Sequence, residues 1–172
     1  MNKMTILKLI RCTVAQDKQQ RFANSQLAWK RTALCDGFLG QIGGWDNTTG
    51  QAVILAFWHD YDAINNFMTH VHDQIVERNR QHRFYVSSSV DYYQISNDIK
   101  NIRQLLAQTL CLSLDMTANP KQDTEYHKNH STTQIQGHHY QHTQLGITIL
   151  FNLKQDGMPH VQLVRDWDVF PI

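Results

Sequence analysis

The sequence predicts an α+β protein: a ferredoxin-like β-α-β-β-α-β unit over residues 1–97, followed by a C-terminal extension over residues 98–172 with a helix, a polar His-rich loop and a β-hairpin. Three observations carry this reading. Strand and helix periodicities alternate in that order between Thr5 and Ser96. The stretch Gly37 to Asp46 sets Gly37, Gly40, Gly43 and Gly44 among Phe38, Ile42 and Trp45, a strand that neighbours can approach closely. Gln51 to Trp58 is apolar on both faces, the pattern of a strand covered on each side.

The elements follow in order. Thr5 to Val14 reads as a strand with Ile6, Ile10, Cys12 and Val14 on one face and Leu7 and Leu9, then Arg11 and Thr13, on the other. Asp17 with Gln20 makes a capping-box start for the first helix. Phe22, Gln26, Trp29 and Ala33 form one buried row of it, and Ala23, Leu27 and Leu34 the adjoining one; Asp36-Gly37 stops it. Asp46 to Gly50 is a turn. In the third strand Val53, Leu55 and Phe57 alternate with Ala52, Ile54, Ala56 and Trp58. Asp60 caps a second helix with an apolar stripe through Ile64, Phe67, Met68, Val71 and Ile75, and Phe84 to Ile95 gives the fourth strand.

The two helices of such a unit cover one sheet face and leave the other bare. With Ile54 and Trp58 placed on the bare face, an apolar patch results that monomers rarely expose. A homodimer enclosing a dimeric α/β barrel covers it; the alternative is the chain's own C-terminal part folding back.

Beyond residue 97, a helix capped by Ser96 or Asn97 carries Ile99, Ile102, Leu105 and Leu106, and Leu110 to Leu114 is a short strand. Residues 117–143, with His127, His130, His138, His139 and His142, read as a surface loop. Leu145–Leu153 and Val161–Phe170 flank Gln155-Asp156-Gly157 as a hairpin.

Composition narrows the function classes. With 172 residues, 41% hydrophobic and 18% charged, the chain is an ordinary globular protein that can bury a core. The net charge of +1 shows no basic stripe for nucleic acid. Lys3, Lys8 and Arg11 interrupt the first apolar run, so no signal peptide or membrane segment is read there. Cys12, Cys35 and Cys111 are odd in number and lack metal-site spacing, which fits a reduced, cytoplasmic protein with thiols acting as small hydrophobes. His70-x-His72 on an α-helix points about 200° apart and cannot chelate one ion. The loop histidines have no accompanying carboxylate or thiolate spacing, so no metal is expected. No Gly-rich phosphate loop or Ser/His/Asp signature is present, and no cofactor is read.

Taken together, strand one, the Gln26 and Trp29 helix, Gly37–Asp46, Phe57-Trp58 and Phe67 to Asp73 resemble the YdbC-like branch of the antibiotic biosynthesis monooxygenase-like group, over roughly residues 5–96. The ending Val164 to Pro171 resembles the close of longer relatives carrying a second ferredoxin-like repeat, here in degenerate form. The resemblance implies dimeric α/β barrels, among them cofactor-free monooxygenases, haem-degrading enzymes and members with no known reaction. Haem-degrading relatives place Asn on strand one, and Trp then His on the second helix. This chain has no Asn in residues 5–14 and Phe67 in place of that Trp, with His70 and His72 just beyond.

Seven residues are the site candidates. His72, at the rim of the second helix stripe, is the candidate catalytic residue, able to orient a phenol or take its proton; the structural alternative bonds it to a backbone carbonyl, Asp46 or Asp91. Trp45, Trp58 and Phe67 are candidate walls of a pocket for a planar apolar molecule, or core packing. Gln26 in a buried row needs a polar partner or a ligand. Arg11 and Asp46 imply an ion pair or an anionic ligand. The expected function is a monooxygenase-like enzyme acting on such a molecule in a barrel cavity. The alternatives are a non-catalytic small-molecule-binding or stress-response protein, and a haem-binding protein.

Overall fold

The computed structural model describes residues 4–96, 98–116, 133–152 and 159–172. Eight antiparallel strands close a barrel within one chain: β1 (Ile6–Thr13), β2 (Phe38–Asp46), β3 (Ala52–Trp58), β4 (Ser87–Ile95), β5 (Cys111–Asp115), β6 (Gln134–His139), β7 (Gly146–Phe151) and β8 (His160–Leu163). Around the barrel the order is β1-β3-β2-β8-β5-β7-β6-β4. The first half is thus β4-β1-β3-β2, the ferredoxin-like order, and the second half, β8-β5-β7-β6, repeats it position for position. The halves are seamed by β2 with β8 and by β4 with β6.

The helices are less regular. The first is α1 (Gln19–Ser25) continued by a 3₁₀ segment, Gln26–Leu34. The second is α2 (Tyr61–Phe67), a π-turn at Met68–His72, and α3 (Asp73–Asn79). Asp60 caps α2 by accepting from the Ala63 N–H at 2.9 Å, as its position predicts. The capping box expected at Asp17 is not formed, because a short 3₁₀ turn over Gln16–Lys18 precedes α1 and no side chain caps either. The third helix, α4 (Ile102–Gln108), starts later than its pattern suggested and is capped by Asn101, which accepts from the Gln104 N–H. Its Ile102 and Leu106 join the barrel core.

Two apolar layers lie on the two sides of the first sheet. Inside the barrel, Leu7, Leu9, Val53, Leu55 and Phe57 meet Leu112, Leu114, Ile147, Ile149 and Val161 of the second half. Eight strands make an interior that side chains fill, and here they fill it. Outside, Ile6, Ala56 and Trp58 pack under Ile64, Phe67 and Ile75, while Cys12 and Ile54 pack with Phe22 and Trp167.

This corrects the placement of Ile54 and Trp58, which face the helices and not the barrel. An all-apolar strand cannot declare its faces; the register does, pairing Ile54 with Ile10 and Trp58 with Ile6. The face expected to need a second subunit is covered by β5–β8 of the same chain. The C-terminal part covers it as strands threaded into the sheet, and the expected hairpin is not formed: β5 lies between β7 and β8. The residues 155–157 read as its turn lie outside the described residues. Part of the expected surface loop, Gln134–His139, is a strand paired to β4 and β7, with Ile135, Gly137 and His139 buried.

The glycines of β2 serve this closure. Gly40 takes φ 151° at a bulge opposite Phe57. A Cβ on Gly44 would collide with the Gln162 carbonyl of β8, so only glycine lets the two halves join there.

Candidate functional site

The site grows from the helix side of the first sheet. On β1 the outward face reads Ile6, Lys8, Ile10, Cys12, and β3 adds Ile54, Ala56 and Trp58. Above them run the two irregular helices. A 3₁₀ helix has three residues per turn, so Gln26, Trp29 and Thr32 stack on one edge and all border the same space. A π-turn spaces facing residues by about five, which brings His72 into line with Phe67. The result is a cavity of about 220 Å³ between sheet and helices.

Its closed end is formed by buried Lys8, Gln26, Thr32 and Trp58; Ser88 and Val90, on the exposed part of β4, lie at the open edge with half-buried His72. The walls are aromatic. Phe67 is 5.0 Å from Trp58, 6.4 Å from Trp29 and 5.8 Å from the His72 ring, centroid to centroid. Trp29 donates to Gln81 Oε1 at 3.0 Å, and Asn79 donates to the Ser25 carbonyl at 2.7 Å, which ties the two helices together over the cavity.

The polar groups are unusual in what they lack. Gln26 is 1% exposed, and its Nε2 has no hydrogen-bond partner among the described residues; the same holds for Trp58 Nε1 and Thr32 Oγ1. Lys8 is 5% exposed. Its ammonium has only the Met68 sulfur at 3.3 Å and the Phe67 ring at 5.7 Å, with no carboxylate among the described residues. Burial lowers its pKa from 10.5 to about 8. Burial also pushes the Cys12 thiol up to about 11, so that lining residue is an inert thiol.

Of the residues picked from sequence, His72, Trp58, Phe67 and Gln26 border this cavity and Trp45, Arg11 and Asp46 do not. Trp45 packs against Phe22 and Trp167 at the far end of the sheet. Asp46 holds its own turn, accepting from the Thr48 N–H and the Thr49 hydroxyl. Arg11 points to the barrel side and pairs with Asp91 at 3.0 Å, beside His139 at 3.4 Å from the same carboxylate. His72 bonds to Asp73 at 3.0 Å, not to Asp46 or Asp91. Missed were Lys8 and Thr32. Lys8 was detectable as a cation on an otherwise apolar strand face; Thr32 was not, because it joins the row only in 3₁₀ geometry. His127 and His130 lie outside the described residues, among which no cluster able to hold a metal occurs. No helix of the described residues is long and apolar enough to cross a membrane.

Residues 6–93 match a domain family of unknown function, DUF4937. The chain belongs to this family. It is also 34% identical over 94 residues to the uncharacterised protein YdbC of Bacillus subtilis (strain 168), covering 53% of this chain and 78% of that one. Among solved structures, a candidate monooxygenase from Lactobacillus acidophilus NCFM matches with a TM-score of 0.63 at 12% identity, over 97% of this chain and 96% of that one. An anthrone oxidase-like protein matches with a TM-score of 0.65 at 7% identity, over 94% and 92%. At such identities the two structures share the α/β-barrel fold with the DUF4937 chain.

Proposed function

We propose that this DUF4937 protein is a monooxygenase-like enzyme that needs no cofactor and acts on a small planar, mostly apolar molecule in the cavity between sheet and helices. The ligand lies against the contiguous wall made by Trp58 and Phe67, Gln26 orients it, and His72 at the mouth accepts a proton from it. A deprotonated, electron-rich ring system can pass electrons to oxygen directly, which is why one basic group in an apolar enclosure suffices for this chemistry. The observation that carries the reading is the buried Gln26 amide with an unpartnered Nε2 between aromatic walls. Burying such a group costs roughly 1–3 kcal/mol, a cost that a ligand acceptor offsets. The names of the two structural neighbours support the oxidative assignment.

The strand order repeated in both halves supports reading residues 98–172 as a degenerate second ferredoxin-like repeat. The repeat supplies the barrel wall; every described residue bordering the cavity lies between Lys8 and Val90.

Anthrone is the first substrate to try, with oxygen uptake as the readout. Uptake above the uncatalysed rate, lowered roughly 100-fold or more in His72→Ala with anthrone binding retained, supports the enzyme. Binding with uptake at the uncatalysed rate supports the non-catalytic binding protein. The cavity volume lies below the roughly 300–1,000 Å³ of most ligand pockets, which favours one to three fused rings over haem. Hemin is therefore expected to give no Soret shift.

A further inference from the structure

We propose that the ligand of this cavity carries an anionic oxygen, a carboxylate or an ionised hydroxyl, which pairs with the Lys8 ammonium and accepts hydrogen bonds from Trp58 Nε1 and Gln26 Nε2. The inference rests on the cavity being the ligand site and is independent of whether turnover follows.

The argument is one of complementarity. Trp58 Nε1 and Gln26 Nε2 can only donate, and both are buried and without partners among the described residues. Lys8 brings three more donors and a full charge, met among the described residues only by a weak sulfur acceptor and a ring face. Thr32 Oγ1, also unpartnered, can donate as well. Among the described residues no Asp or Glu borders the cavity.

A neutral hydrocarbon placed there would leave every one of these groups unsatisfied, and a cation would be repelled. An anionic oxygen satisfies several at once and returns to Lys8 the counter-charge that its surroundings lack. The depressed Lys8 pKa, about 8, still leaves the amine largely protonated at neutral pH, and a bound anion would raise it again. The same apolar walls that make Lys8 costly to bury make its pairing with an anion strong, because water is excluded from the contact. The ring of Trp58, itself one of these donors, and the Phe67 ring, 5.7 Å from the Lys8 ammonium, lie 5.0 Å apart and form one wall, so the anionic group is attached to a flat apolar body that lies against it.

Three probes of one ring system decide it by titration calorimetry near pH 7: naphthoate, its neutral isostere naphthamide, and naphthol, whose absorption band moves to the red on ionisation. Naphthoate is expected to bind about tenfold or more tighter than naphthamide. In Lys8→Met, with its fold confirmed by circular dichroism, that ratio should collapse towards one. Trp58→Phe, which removes the donor together with the pyrrole part of the ring, should weaken naphthoate severalfold more than it weakens naphthamide. A red-shifted band for bound naphthol identifies an ionised hydroxyl as a second acceptable anion. Naphthoate and naphthamide binding alike, or Lys8→Met leaving naphthoate unchanged, overturns the inference while the cavity reading survives. Binding of none of the three overturns both.

Discussion

Lys8 fixes the stability cost of the cavity. A lysine held near pKa 8 in the fold and 10.5 when unfolded binds its proton less readily in the native state, so the folded protein is penalised wherever the unfolded chain is protonated. The penalty is full below about pH 8, amounts to roughly 3 kcal/mol, and is relieved as pH rises towards 10.5. The other titratable residues around it are Cys12, His72 and Tyr85 in the cavity and Tyr92 opposite Lys8 on β4. Cys12, raised to about 11, works in the other direction above pH 9, where the unfolded thiol ionises and the buried one does not. Urea midpoints should therefore increase between pH 8 and 9 in the wild type and stay flat there in Lys8→Met. That variant should also be more stable at pH 7 by about 1–3 kcal/mol, a gain that accompanies its loss of anion binding. Gln26→Leu should be neutral or stabilising for the same reason, with ligand affinity reduced. At this scale the sequence reveals Gln26, because an amide in an apolar row has to be explained. Lys8 was legible on the same ground, as the one cation on the Ile6, Ile10 and Cys12 face, but Lys3 and Arg11 nearby draw it into a reading of general basic character.

The two helix pairs carry the cavity's geometry through their departures from α. In an α-helix Gln26 and Ala33 would share a row with Trp29, and Leu27 and Leu34 would be buried beside it; in the 3₁₀ segment Leu27 is 47% and Leu34 74% exposed, and Thr32 comes inward instead. A nine-residue 3₁₀ run is long for this weakly bonded form, which marks the segment as held by its packing on the cavity and by the Trp29–Gln81 bond. Such departures are set by tertiary contacts, so periodicity read at 3.6 residues per turn misses them. The α2 start, by contrast, is local and legible: Asp60→Ala should cost about 1 kcal/mol in thermal unfolding, through loss of the bond to the Ala63 N–H. On the sheet, Gly44→Ala should damage the β2–β8 seam by several kcal/mol, because backbone and not a movable side chain opposes the new methyl. β6 escapes a sequence reading because Gln-Ile-Gln-Gly-His-His has a single aliphatic residue; its burial derives from the seam it completes, where Tyr93 meets the His139 ring at 5.3 Å.

At the scale of the whole molecule, a third strand apolar on both faces demanded a cover for the sheet beyond its two helices, and that demand was legible, although the sequence reading assigned Ile54 and Trp58 to the bare side where the structure has Val53, Leu55 and Phe57. Its source was not, since a symmetric partner and a second set of four strands present the same greasy face. The closed strand order decides it, with Leu55 fully buried against side chains of the second half. The distinction has a measurable consequence. If a second copy supplied the cover, a charge at Leu55 would separate two subunits and leave folded monomers. With the cover supplied by β5–β8 of the same chain, the charge has nowhere to go: an aspartate there must be buried unpaired or the barrel must open. Leu55→Asp should therefore abolish cooperative unfolding at every protein concentration, since its cost exceeds much of the stability that a domain of this size has to lose. Circular dichroism alongside sedimentation checks this, and a folded Leu55→Asp monomer would show that the barrel is not sealed from within the chain.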